Sequence, residues 1–444
     1  MSGGGWLIAG GRVVDPANGL DAVTDVLVRE GRIVEVGRIG AAAGVRRFDA
    51  SGLVVSPGWI ELHVHLRVPG QEHKETIATG TAAAAAGGFT TICCMPNTEP
   101  ALDSVPALAD LLERIATDAL VRVRPIAAIS EGRKGREALD YEALVAAGAI
   151  GFSDDGDSTL DSGVMRQALA ASNRLGKPVM VHCEDKGLAG AGAMHEGDVS
   201  RDLGIAGIPA EAEEIIIARD LMLARLTGGW LHVLHVSTGR GAAMVRQAKA
   251  EGVNVTAEVM PHHLLMDDTW IAGNRTLLNV SEPAGVSGHP KDPNTKVNPP
   301  LRTAGDTRHL LAALKEGVFD IVATDHAPHA TEEKGGRDFA AAAFGMSGLE
   351  LALPLMLALV RAGHLTLTDV VRRCSVEPAR LLGEPLGSLA PGRTADLVVF
   401  DPEERWTVTP EALRTKSKNT PLLGMELQGR VKLTLVGGEE RFHG

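Results

Sequence analysis

Between residues 59 and 329 eight short apolar runs rich in β-branched residues recur, and six of them carry a histidine or aspartate at or near the carboxyl end. The runs are IELHVHL, FTTICCMPN, VRVRPIAAIS, AIGFSDD, PVMVHCE, LHVLHVS, VTAEVMPHH and DIVATDHAPH. Between them lie Ala/Leu-rich segments of helical character, such as Glu211 to Leu226 and Thr307 to Lys315. Strands alternating with helices read as repeated βα units, and eight such units imply a closed parallel barrel. Barrels of this kind place their chemistry at the carboxyl ends of the strands, where these His and Asp residues fall.

The two chain ends have a different texture. WLIAGGRVVD, DVLVREGRIVEVG and GLVVSPG at the start, and GRTADLVVFDP and VKLTLVGGEERF at the end, are short β-branched runs broken by turn residues. They read as strands of one small β-sandwich built from both termini. The expected architecture is therefore α/β, a (β/α)8 TIM-type barrel over residues 56–384 with a sandwich contributed by 1–55 and 385–444. TAAAAAGG at 81–88 is expected to be a helix ending at a glycine. The stretch from Asp267 to Val297, rich in Pro, Gly and Asn, is expected to be a long loop at the barrel mouth.

With 444 residues, 44% of them apolar, the chain is long enough for one large core and a smaller companion. The formal net charge of −12 and the lack of a basic stripe argue against nucleic acid as a partner. MSGGGWLIAGGRVVD has no basic region ahead of an apolar segment, and no apolar run approaches the roughly 20 residues of a membrane span. A cytoplasmic protein with no membrane partner is expected. Cys93, Cys94, Cys183 and Cys374 form neither a CxxC pair nor a disulfide framework and read as reduced thiols. Cys183 is expected to point away from the face used by His182.

His63 and His65 are two residues apart, so on a strand both imidazoles face one side and can bind the same metal ion. Two half-buried histidines on a sheet face would show the same spacing. The metal reading gains weight from Asp154/Asp155, His182, His232/His235 and Asp325 on the other strands. Imidazole and carboxylate in this ratio suit zinc, and the set is large enough for two ions sharing a carboxylate. Arg67 lies two residues beyond His65, where its guanidinium could grip a substrate carboxylate.

In order along the chain, ELHVHLRVPG, CCMPNTEP, GFSDDG, HCEDK, HVLHVST, EVMPHHLL, KVNPPLR, ATDHAPH, AFGMSGLE and NTPLLG resemble the serial motifs of type I dihydroorotases in the amidohydrolase superfamily. Hydantoinases and allantoinases share several of these. HVHLR followed by PG, MPNT, and a carboxylate in GFSDDG where those relatives use a carboxylated lysine are selective. The resemblance implies one or two Zn2+ per chain, with two favoured: His63, His65 and Asp325 on one, His182 and His235 on the other, and Asp155 between them. It implies that Asp154 and His232 either turn away from the site or support it without ligating. It further implies that Asp325 carries the proton, that His65, Arg67, Asn97 and His329 meet the substrate carboxylate end, and that Asn298 and the Phe344–Gly345 backbone meet the ring. The implied reaction is the reversible cyclisation of N-carbamoyl-L-aspartate to L-dihydroorotate. A homodimer and an association with aspartate transcarbamoylase are compatible with it. The alternatives are another cyclic amide hydrolase and an inactive subunit, although none of the six ligand positions is missing. Two departures stand out: Glu61 where the family usually has Asp, and the long Asp267 to Val297 segment, which leaves Asn298 the least secure contact.

Overall fold

The apolar runs form strands most of which are buried on both faces, as expected of parallel strands covered by helices. In this computed structural model, which describes residues 5–280, 288–335 and 338–444, Trp59–Val64 pairs in parallel with Phe89–Cys94, and that strand with Arg122–Pro125. Phe152–Ser153, Val179–Val181, Leu231–Val233, Val255–Val259 and Ile321–Val322 follow as a second parallel run. Single bridges, Ala127 to Phe152 and Val64 to His326, join the two runs at both seams. The eight strands therefore close into a (β/α)8 barrel.

Helices flank the strands and begin and end where local chemistry dictates. Ser162–Leu175 starts at Asp161, whose carboxylate accepts the Gly163 and Val164 N–H groups, and stops at left-handed Gly176. Ala304–Glu316 starts at Thr303 and stops at Gly317 in the same way. The alanine-rich stretch is the helix Ile77–Ala86, followed by Gly87 and by Gly88 at φ +88°.

Inside the barrel Ile60, Leu62, Cys93, Ile126, Met180, Leu234 and Ile321 form one packed layer. Above that layer the pairing of the first strand shifts register between Glu61 and Val64. Strict alternation would send Ile60 and Leu62 to one face and His63 to the other. The irregularity restores His63 and His65 to the barrel axis while Val64 packs in the outer core. Glu61 underwrites it: one carboxylate oxygen accepts His63 N–H at 2.8 Å and the other accepts Thr324 N–H at 2.8 Å, fastening the first strand to the last.

The terminal strands form one sheet containing Gly5–Asp15, Leu20–Arg29, Arg32–Gly37, Val45–Asp49 and Val54–Pro57 from the start of the chain and Leu397–Thr407, Glu426–Val436 and Glu439–His443 from its end. The sheet curls until Arg32 bridges Thr394, and it encloses its own core of Trp6, Ile8, Val26, Val55, Leu397 and Leu433. The segment Leu413–Leu422 leaves this sheet and returns to the barrel, where Thr415 and Lys416 bond Glu75 and Asn419 bonds residues 327–329. Of the expected mouth loop, residues 281–287 lie outside the described part. The rest carries two short turns, Asp268–Trp270 and Pro293–Thr295, pinned by a buried Arg275–Asp292 ion pair of 2.7 Å. All four cysteines are unpaired and buried. Among the described residues no helix is long and apolar enough to cross a membrane.

Candidate active site

Every site residue expected from the sequence except His63 lines one cavity of about 320 Å³ at the carboxyl-terminal mouth of the barrel, and His63 lies directly beneath it with no exposed surface. Glu184 and Lys186 also line it and were not anticipated.

Asp155 stands at the centre. Its Oδ2 is 3.5 Å from His63 Nε2 and 3.3 Å from His65 Nε2, and its Oδ1 is 3.4 Å from His235 Nε2 and 3.7 Å from His182 Nδ1. Asp325 Oδ1 lies 3.1 Å from His65 Nε2 and 3.5 Å from His63 Nε2. His182 Nδ1 and His235 Nε2 are 2.9 Å apart. Asp154 and His232, the doublet partners, stay apart from this cluster. Asp154 accepts from the Ile129 and Ser130 N–H groups and from the Ser130 and Thr159 hydroxyls. His232 is held between Thr256 and Glu258.

The outer nitrogens of the inner imidazoles are fixed by Glu258, which the sequence did not single out, and by Asn97, expected only as a substrate contact. Glu258 on the seventh strand contacts His63 Nδ1 at 2.6 Å and accepts His235 N–H at 3.2 Å, and Asn97 Oδ1 contacts His65 Nδ1 at 2.8 Å. With Nδ1 engaged by its outward partner, each ring turns its Nε2 to the centre. Glu258 was legible as the single acid within VTAEVMPHH, since a carboxylate inside an apolar strand needs a cation or donor beside it.

Burial alone would lower the His63 pKa, but Asp155, Asp325 and Glu258 hold it well above its usual value. Asp155 is driven the opposite way: burial would raise it, and the neighbouring imidazoles, His63 foremost, bring it well below the carboxylate range. The cluster thus has the electrostatics of a cation site. His63 Nε2 and Asp155 Oδ1 are buried without a hydrogen-bond partner. Two donor triads converge there, His63–His65–Asp325 and His63–Asp155–His235, with the atoms of each within 4.8 Å of one another. Such orphaned, converging N and O donors fit a metal ion.

Beside the cluster Arg67 is 6% exposed. Its Nε donates to Pro328 O and one terminal nitrogen lies 3.2 Å from His329 Nε2. Burial lowers its pKa to about 10, which leaves it cationic at neutral pH. Asn298 donates through Nδ2 to Glu184 Oε1 at 3.1 Å, and Gly345, at φ +134°, packs against Ala327 so closely that a Cβ would fall 2.7 Å from its carbonyl oxygen. Arg67, His235 and Asp325 all hold positive φ, at +61°, +31° and +47°. A non-glycine residue in that region carries strain of about 1–3 kcal/mol, which concentrates where a site dictates geometry.

An eight-stranded parallel barrel with imidazoles and carboxylates converging at its mouth is the arrangement of a barrel hydrolase whose donors suit a metal ion. The family model described as dihydro-orotase-like matches residues 52–240, and that of the amidohydrolase family matches residues 346–442. The dihydroorotase of Anaeromyxobacter dehalogenans is 46% identical over 432 residues, 97% of this chain and 96% of that protein. That of Geobacter metallireducens is 44% identical over 434 residues, 98% of each. The chain belongs to the dihydroorotase family. Among solved structures, L-hydantoinase (dihydropyrimidinase) from Arthrobacter aurescens matches with a TM-score of 0.84 at 26% identity, covering 98% of this chain and 95% of that one. Dihydropyrimidinase from Brevibacillus agri matches at 0.82 and 26%, covering 98% and 94%.

Proposed function

We propose that the chain interconverts N-carbamoyl-L-aspartate and L-dihydroorotate on a pair of zinc ions. The observation that carries this reading is the buried, cationic Arg67 facing the same cavity as the Asp155-centred donor cluster. A cyclic amide alone needs no such cation; a cyclic amide bearing a carboxylate does.

In this reading His63, His65 and Asp325 would hold one ion and His182 and His235 the other, with Asp155 available to both. When bound, the ions lower the pKa of water and polarise the carbonyl under attack. Arg67, His329 and Asn97 grip the substrate carboxylate and set the ring against the cluster, with Asn298 and the Phe344–Gly345 backbone on its edge. Asp325 takes the proton released on attack and hands it to the departing ring nitrogen; in cyclisation the order reverses. A single carboxylate serves both directions because the amide exchange is reversible. Glu258 and Asn97 keep the His63 and His65 rings oriented throughout. The hydantoinase-like fold would equally suit a neutral cyclic amide, but Arg67 would then have no counter-charge from the substrate. A homodimer, an association with aspartate transcarbamoylase and a cytoplasmic location belong to this same reading.

The test is turnover of L-dihydroorotate against dihydrouracil by the wild type and Arg67→Met. A charge-assisted contact is worth about 1.5–3 kcal/mol, so kcat/KM for L-dihydroorotate should fall at least about tenfold in the variant, with bound metal unchanged. Unaltered L-dihydroorotate kinetics in Arg67→Met would remove the carboxylate from the substrate assignment.

A further inference from the structure

NTPLLG begins with Asn419, which lies in the C-terminal segment and outside the barrel strands, yet its side chain bonds both segments that shape the substrate end of the cavity. Its Oδ1 accepts the His329 N–H at 3.1 Å and lies 3.1 Å from the Ser347 hydroxyl, whose single proton it shares with Ser417 O at 2.9 Å. Its Nδ2 donates to Ala327 O at 3.2 Å and Gly345 O at 3.1 Å. Its own carbonyl accepts Ser347 N–H at 2.9 Å. Asn419 is 5% exposed, and Ala327, His329 and Gly345 line the catalytic cavity while Asn419 does not.

Two donors meeting Oδ1 and two acceptors meeting Nδ2 leave the amide one orientation and fix both segments relative to each other. One segment carries His329 and, through Pro328 O, the Nε contact of Arg67. The other carries the Phe344–Gly345 backbone. The segment bearing Asn419 is anchored in turn, since Thr415 and Lys416 bond Glu75 and Ser417 Oγ donates to Lys74 O at 2.6 Å.

We propose that Asn419 is a positioning residue for substrate recognition: it sets the spacing between the His329–Arg67 pair and the Gly345 backbone, and so the fit of the substrate carboxylate, without touching the substrate. This rests on the substrate reading given above. The residue acts on binding geometry and leaves the metal ligands alone.

Asn419→Asp keeps the shape but turns a carboxylate oxygen toward the Ala327 and Gly345 carbonyls, where a donor is required. The expected result is a KM for L-dihydroorotate raised by about tenfold, with kcat changed by less than about threefold and metal content per chain as in the wild type. In a His329→Ala background the same substitution should raise KM by much less, because the residue it acts through is gone. Ser347→Ala, a milder change that removes the hydroxyl shared between Oδ1 and Ser417 O, should shift KM in the same direction and carries the test if Asn419→Asp does not fold. An unchanged KM in the folded variant, a loss confined to kcat, a fall in bound metal, or additivity with His329→Ala would each overturn the proposal. The wild type assayed in parallel separates the two levels. Wild-type turnover with an unaffected variant defeats the positioning role alone, and a metal-loaded wild type inactive on L-dihydroorotate defeats the functional reading and this proposal with it.

Discussion

Asp154 and Asp155 are neighbours in sequence with opposite surroundings. Asp154 has its oxygens occupied by two backbone N–H groups and two hydroxyls, so it braces the loop after the third strand. Asp155 faces four imidazoles and has an oxygen with no hydrogen-bond partner. Asp155→Ala should therefore lose most bound metal and all measurable turnover, whereas Asp154→Ala should keep its metal and measurable activity while unfolding at lower temperature. Metal analysis and melting of the two variants side by side check this, and a reversal of the two phenotypes would place the shared ligand one residue earlier. At this scale much of the site was legible. His63 and His65 showed the two-residue spacing of a shared strand face, and the choice of Asp155 over Asp154 came from its motif. What escaped was the set of partners that hold the site residues in place. Glu258 pairs with His63 across 195 residues of sequence, and Asn419 with His329 across 90. No local pattern encodes contacts at such separations.

At the scale of elements the site depends on irregularity. The first strand slips register between Glu61 and Val64 to aim both histidines inward, and three strand-end residues hold positive φ. The apolar runs located each barrel strand but could not show that slip, because its stabilising contact, Glu61 to Thr324, comes from the far end of the barrel. The helices were legible from composition and their glycine stops. The short helix Thr331–Lys334 was not, being only one turn after the eighth strand. It carries a testable charge. Lys334 donates to Pro293 O and Lys296 O, and burial, with Lys296 nearby, lowers its pKa from 10.5 to about 7. The unfolded chain then binds more protons than the folded one between about pH 7 and 10.5, so this group's contribution to stability rises with pH across that window and its cost is fully present below it. Urea unfolding of wild type and Lys334→Met at pH 7 and pH 9 should show the difference moving in favour of the wild type at the higher pH. A difference that stays constant or moves the other way would mean that the lysine is not buried as a near-neutral amine.

For the whole molecule, the division of labour is between a barrel that supplies ligands and a terminal sheet that sends one segment back to the barrel mouth. The sequence disclosed the barrel because eight apolar runs with polar ends have few other solutions, and it disclosed that both ends contribute strands. It did not disclose that residues 413–422 cross back to bond Glu75 and the 327–329 turn, since those contacts join polar residues in a segment without periodicity. The account as a whole stands on the Asp155-centred cluster being a metal centre that turns over a carboxylate-bearing cyclic amide. The most direct measurement is L-dihydroorotate turnover by protein stripped with a chelator and then titrated with zinc. The account predicts loss of activity on stripping and recovery that saturates at about two equivalents per chain, the capacity of six ligands with one shared. Full turnover by the stripped protein, or no turnover of L-dihydroorotate after zinc has bound, would contradict it.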